Sequence, residues 1–465
     1  MKRLIFIFQV FLILIQIFLY AASSYSQPSF IVINVSAITV IFSFILSWTY
    51  RSKTTLKGYG FSIIAFFILM LWIVSFQVPL EIVYGNNTLL NPNLLLIYDI
   101  YIVNKVVSFS SLMLNFFLIA VTYGYKNSLE IKKYNYNENN NNELIIPSMP
   151  ILFIVISFFI IFIVTINSEY INNGHGVVPL NTLSNSAIGF YIKFSCIYIA
   201  IRAYNLKGSN IGVVRYITSF NKLFLLSIFI SLVVFTLAHN RLYPIMIVSP
   251  LLFSLFLVTK KKVQLVKFIA VFILLSTVAT FFKIYGAEIF STNEFIIEDY
   301  QVISNFFVPI TAELASSFYS TSILYSMWYS TDFFLYGSTF AVGLLRTIPG
   351  LVGFLELNEI LYDTGVIATV YTHTRYGVGT NPITDLLVNF GALGSFIIFG
   401  WVGYFFGKYE TKAYNDNSTL VSYVIYLSIA ILVLFYARSS LNNLAQLVLF
   451  NYIFIRFYIS FYRNQ

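Results

Sequence analysis

The chain has 465 residues, of which 58% are hydrophobic and only 10% charged; a water-soluble domain carries roughly 25% charge, so too few charged groups are present to cover a water-facing surface. A soluble globular enzyme is excluded, and a mean hydropathy of +0.82, with repeated apolar runs near the roughly 20 residues that a bilayer core requires, reads as an all-α polytopic membrane protein. The net charge of +9 does not indicate nucleic acid, because the basic residues are spread thinly between apolar runs.

In chain order the apolar runs fall at 4–22, 30–50, 60–80, 102–123, 149–166, 187–203, 216–238, 242–258, 265–284, 384–406, 420–436 and 441–459, which predicts about 12 transmembrane helices. The first run follows Lys2 and Arg3 as a signal peptide's would, but it is as long as a span and longer than a typical signal core, so it is read as a retained helix. If that end is cytoplasmic, the connections holding Arg51, Lys132, Arg202, Lys260 and Lys408 are cytoplasmic too, as the positive-inside rule requires. Both termini are then cytoplasmic, and carboxylates such as Glu81, Glu298, Asp332 and Asp385 gather on the outer side. The Asn-rich stretch 134–143 reads as a disordered cytoplasmic loop.

Residues 1–284 thus form nine N-terminal transmembrane helices, 285–381 a large outward loop, and 382–465 three C-terminal helices. The loop is apolar and aromatic in patches such as Met327-Trp328-Tyr329, which predicts interfacial helices lying on the outer leaflet.

The single cysteine, Cys196, with three scattered histidines, allows neither an intramolecular disulfide nor a Cys/His zinc site. Phosphate-loop, zinc-protease and nucleophile-elbow motifs are absent from the sequence. Unusual instead are arginines on the outward side, Arg241, Arg346, Arg375 and Arg438, which oppose the topology rule. A guanidinium binds phosphate oxygens two at a time and stays charged, so a phosphorylated group at the membrane boundary is their natural target. Asn381 followed by Pro382 reads as the cap and first residue of a helix whose free N–H groups face an anion. Gly391, Gly394, Gly400, Gly403 and Gly407 read as close helix packing. Lys193, inside a span, must either snorkel to the interface or meet a carboxylate.

Four segments resemble the O-antigen and capsule repeat-unit polymerases, the Wzy-type membrane glycosyltransferases: HNRLYPIMIVSPLL at 239–252, GSTFAVGLLRTIPG at 337–350, GTNPITDLLVNFGALGSFIIFGWVGYFFG at 379–407 and RSSLNNL at 438–444. They cover the C-terminal half; the N-terminal half is similar only in its pattern of spans. Ala238-His239-Asn240 departs from the Gly or Ser that the family tends to place before the arginine of that turn.

The resemblance implies a GT-C-like fold in the bacterial inner membrane with the loop in the periplasm, and undecaprenyl-diphosphate-linked oligosaccharide as donor and acceptor. It also implies no nucleotide sugar or cofactor, with a chain-length regulator as a candidate partner. Catalysis is assigned to Arg241, Arg346, Arg438, His373 and Asp385, with His373, Asp363 and Asp385 open as the general base. Substrate binding is assigned to Arg375, Gly379, Asn381 and Asn389. Metal independence is expected, because no Asp-x-Asp motif or cluster of hard ligands stands in the sequence. A lipid-linked oligosaccharide flippase or an O-antigen ligase are the alternatives.

Overall fold

Inside a bilayer each backbone polar group must be satisfied within its own segment, so apolar runs of this length have little choice but to be helical. The computed structural model describes residues 2–52, 62–85, 100–130, 146–173, 180–207, 211–238, 240, 242–259, 317–347, 364–372, 379–415, 418–432 and 439–463. Among the described residues every regular element is a helix. In chain order these are α1 (Lys2–Ala22), α2 (Phe30–Ser52), α3 (Ile63–Val83), a 3₁₀ turn (Ile100–Ile102) leading into α4 (Val103–Glu130), α5 (Met149–Thr165), α6 (Ser168–Asn173), α7 (Thr182–Asn205) and α8 (Val213–Thr218). They continue with α9 (Lys222–Leu237), α10 (Leu242–Thr259), α11 (Ser317–Thr331), α12 (Ser338–Leu345), α13 (Thr364–Thr372), α14 (Pro382–Ala413), α15 (Leu420–Leu432) and α16 (Leu441–Arg463).

Among the described residues eight helices are long and apolar enough to cross a membrane: α1, α2, α3, α4, α7, α10, α14 and α16. The apolar helices α5, α9 and α15 are shorter. The predicted run at 265–284 lies outside the described residues.

Helix α14 packs closely along α4 because glycine removes the side chains between them. A Cβ on Gly403 would sit 2.5 Å from the Phe117 carbonyl oxygen, and one on Gly400 would sit 2.7 Å from the Phe116 ring. Gly407 and Gly124 leave still less room, against the carbonyls of Val121 and Tyr404. The glycine spacing of the sequence is therefore a packing feature over 400–407.

Helix α1 turns Leu4, Phe8, Phe11 and Phe18 outward and is held instead by polar contacts at seven-residue intervals. Gln9 Nε2 donates to Ser47 Oγ at 2.8 Å and Thr122 Oγ1 at 3.1 Å, Gln16 Nε2 donates to Thr39 Oγ1 at 2.7 Å, and Ser23 Oγ meets Ser108 Oγ at 3.2 Å. A seven-residue repeat keeps one seam facing its neighbours, and in lipid such bonds join helices that hydrophobicity alone would not.

One expectation is corrected. Helix α11, in the large loop, does not lie on the surface over 317–325: Phe318, Tyr319, Leu324 and Tyr325 are fully buried, and it packs against α3, α4, α13 and α14, while its end at 329–331 is exposed. Ser320 Oγ and Thr321 Oγ1 bond back along the helix to the Ser317 carbonyl, both at 2.8 Å, which makes their burial tolerable. Lys193 meets aromatic faces, with its ammonium 5.2 Å from the Phe190 ring centroid and 4.8 Å from that of Phe450; the rings' negative faces stabilise the cation.

Candidate functional site at the broken helix

Helix α14 begins with the cap that its sequence indicates, but the N–H groups expected to face an anion are taken up by that cap. The Asn381 side-chain carbonyl accepts the N–H groups of Ile383 and Thr384 at 2.9 and 3.0 Å, with Pro382 at the first helical position. The Asn381 amide donates to Thr321 Oγ1 of α11, so the cap also fixes the helix start to its neighbour. Gly391 then breaks the helix, with φ 65° and ψ −179°, a backbone conformation open essentially to glycine alone. At the break the Val388 carbonyl accepts the Leu335 N–H at 2.7 Å, a bond from outside the helix. The result is a half-helix, 382–390, followed by a longer one, 392–413.

One turn into the half-helix lies Asp385, 0% exposed. Its Oδ1 accepts Thr364 Oγ1 of α13 at 3.0 Å and, at 3.4 Å, Nδ2 of Asn389. Its Oδ2 accepts the Ser440 hydroxyl and the Leu441 N–H, both at 2.9 Å. Leu441 opens α16, so a carboxylate on one helix satisfies the free N–H end of another, where negative charge is favoured.

From Asp385 the bonds run in a ring. Asn389 Oδ1 accepts Thr339 Oγ1 of α12 at 2.9 Å, and the Thr339 carbonyl accepts Nδ2 of Asn442 at 3.0 Å; Asn442 follows Leu441 on α16. Gly343 lets α12 approach, since a Cβ there would meet the Asn442 side chain at 3.0 Å. Three elements distant in sequence, α12, α14 and α16, are thereby joined by one buried polar node.

Of the residues singled out in the sequence, Asn381, Asp385 and Asn389 come together here. Gly379 stands two residues ahead of the cap. Arg346 is half-buried and ends α12, its N–H donating to the Val342 carbonyl at 3.0 Å. Arg241, His373, Arg375, Arg438 and Asp363 lie outside the described residues. Asn240, beside Arg241 in sequence, is buried; its Oδ1 accepts the Leu242 N–H at 3.0 Å and its Nδ2 donates to the Tyr170 hydroxyl of α6 at 2.9 Å. Sequence reasoning missed Thr339, Thr364, Ser440 and Asn442. For Ser440 and Asn442 the signal was the polar stretch Ser439 to Asn443 at the head of an otherwise apolar span; Thr339 and Thr364 carried none.

A second polar centre, also missed, lies at the other end of α14. Arg51 Nε and Glu410 Oε1 are 2.6 Å apart, each side chain 1% exposed. Ser62 Oγ donates to Glu410 Oε2 at 3.1 Å, and the guanidinium carbon lies 5.0 Å from the Trp48 ring centroid. Among the described residues no group of three or more His, Cys, Asp or Glu is placed to hold a metal ion.

The chain matches no family model, no curated protein and no solved structure.

Proposed function

We propose that this protein is a membrane glycosyltransferase that polymerises undecaprenyl-diphosphate-linked oligosaccharide repeat units. The observation that carries this reading is convergence: three of the four segments that resemble repeat-unit polymerases, 337–350, 379–407 and 438–444, meet through Thr339, Asp385, Asn389, Ser440 and Asn442. Two of them carry an arginine close to the node in sequence. Arg346 ends the helix that holds Thr339, and Arg438 precedes Ser440 by two residues.

In the reaction an acceptor hydroxyl oxygen bonds to the anomeric carbon of the growing chain. The bond from that carbon to the diphosphate oxygen breaks, its electron pair stays on the diphosphate, and the hydroxyl proton passes to a base. Charge develops on the leaving diphosphate, where guanidinium groups stabilise it without metal. The reading also includes a twelve-span GT-C-like bundle in the bacterial inner membrane, both termini cytoplasmic, the site at the periplasmic face, and a chain-length regulator as partner.

The test is extension of labelled lipid-linked repeat units by the purified full chain in proteoliposomes containing excess EDTA. A ladder of repeat-unit spacing is expected, with Arg346→Lys and Arg438→Lys each slowing it by roughly 10²- to 10³-fold, as loss of a well-placed oxyanion donor does. Translocation without new glycosidic bonds, or transfer only to a lipid A core acceptor, would overturn polymerisation in favour of a flippase or a ligase.

A further inference from the structure

We infer that Asp385 is a positioning residue and not the general base: its carboxylate docks the start of α16, with Ser439 and Ser440 ahead of it, onto the half-helix 382–390. For its activity readout the inference rests on the glycosyltransferase reading above; for its structural readout it does not.

A general base must reach the proton it removes, within about 3 Å or through one water. Asp385 is 0% exposed, and among the described residues its two oxygens receive four donors: Thr364 Oγ1, Asn389 Nδ2, Ser440 Oγ and the Leu441 N–H. These come from α13, from its own helix and from the head of α16, so its lone pairs are committed to holding elements together. The Leu441 N–H is the informative donor. A backbone N–H at a helix start cannot rotate to become an acceptor, so the Asp385 position must supply an oxygen there. The hydroxyls of Thr364 and Ser440 can rotate to donate or accept.

A docking role and a chemical role therefore respond differently to asparagine. In Asp385→Asn the amide oxygen can take the Leu441 N–H while the amide nitrogen donates to the Thr364 hydroxyl, which keeps the dock. A base would be abolished by the same change. Asp385→Ala removes the oxygen and fails under either role, so it serves as the reference.

The experiment uses the full chain with Ser439→Cys as a reporter just ahead of α16; native Cys196 is buried and stays silent toward a hydrophilic maleimide. Docking predicts that Asp385→Asn labels at the reporter thiol within about twofold of the parent rate, whereas Asp385→Ala labels at least tenfold faster as the head of α16 loosens. For extension, Asp385→Asn should keep at least a tenth of parental kcat/KM with an unchanged pH profile, and Asp385→Ala should lose more than 100-fold. The proposal is overturned if Asp385→Asn loses as much activity as Asp385→Ala, or loses one limb of the pH profile, while labelling of the reporter is unchanged. If Asp385→Ala does not insert, Ser440→Ala with the same reporter still decides, since removing one docking donor should quicken labelling by about threefold and an unchanged rate refutes the dock. Should the parent show no glycosyl transfer at all, the labelling comparison still stands or falls alone.

Discussion

The two ends of α14 each bury a carboxylate, and they differ in the charge of what is described beside it. Among the described residues Asp385, near the N-terminal end, is held by neutral donors, two hydroxyls, an amide and a backbone N–H, drawn from α13, α14 and the head of α16. Glu410, near the C-terminal end, is held by the Arg51 guanidinium as well as by two neutral donors, the Ser62 hydroxyl and the Ile64 N–H at the start of α3. Neutral donors fix direction, because each bond has its own geometry, and they bind several small elements at once. An ion pair removed from water costs much to desolvate and more to break, so it clamps two helices in one register. The clamp sits on the half of α14 that glycines already press against α4; the node sits on the half freed by Gly391. The longer half is thus a fixed beam, and the shorter one a mount for α12, α13 and α16.

Breaking the clamp should have the largest effect. Removing one partner of a desolvated pair leaves an uncompensated buried charge and destabilises by about 3–5 kcal/mol. Arg51→Ala and Glu410→Ala should each lower resistance to SDS unfolding by that order, while the double change Arg51→Met with Glu410→Leu should recover most of it. Single variants within about 1 kcal/mol of the parent, on the scale of neutral contacts, would show that water reaches the pair and that the two ends do not differ in kind.

The break itself comes next. A Cβ at Gly391 would meet only the Phe334 ring, at 3.7 Å, so space does not forbid alanine; the φ of 65° does. Gly391→Ala should cost about 1–3 kcal/mol and should disturb the node more than the clamp, quickening maleimide labelling at position 439 in the Ser439→Cys background while leaving the α4–α14 contact intact. A disulfide cross-link between α4 and α14 that forms as in the parent would check the second half of this statement. Gly391→Ala with parental stability would mean that the helix can run straight through 391 without loss.

What the sequence disclosed and what it hid divide along the same lines. Asn381 and Pro382 announced the start of α14 because capping chemistry is local, readable within four residues. The glycines at 400, 403 and 407 announced packing because their spacing lies on one helix face. Gly391 belongs to the same series, yet its role depends on Leu335 and Phe334, far away in sequence. Arg51 read only as a topology signal, since its partner is 359 positions distant. The arginines drew attention by opposing the positive-inside trend, whereas Thr339 and Thr364 could not, because hydroxyls are common in membrane helices and carry meaning only once folded together. The aromatic loop suggested a surface helix, but composition cannot distinguish a helix lying on lipid from one tucked under its neighbours, as α11 is.

The smallest effect tests whether neutral polar burial is a mount or a brace, and the α1 seam offers the control. Gln16 donates to Thr39 at 2.7 Å and accepts the Ser36 hydroxyl at 3.3 Å, buried between α1 and α2. Hydrogen bonds between helices in lipid average about 0.6 kcal/mol, because the unfolded helices find other partners in the membrane. Leucine has a volume near that of glutamine and packs without a polar requirement, so Gln16→Leu should destabilise by about 0.5–1 kcal/mol and leave labelling at the 439 reporter unchanged. The same SDS titration used for the ion pair reads it. A loss equal to that of Arg51→Ala would mean that neutral contacts brace this protein as strongly as buried charge. The node around Asp385 would then be a brace of the same strength, and the half-helix it holds would be as rigid as the beam beyond Gly391.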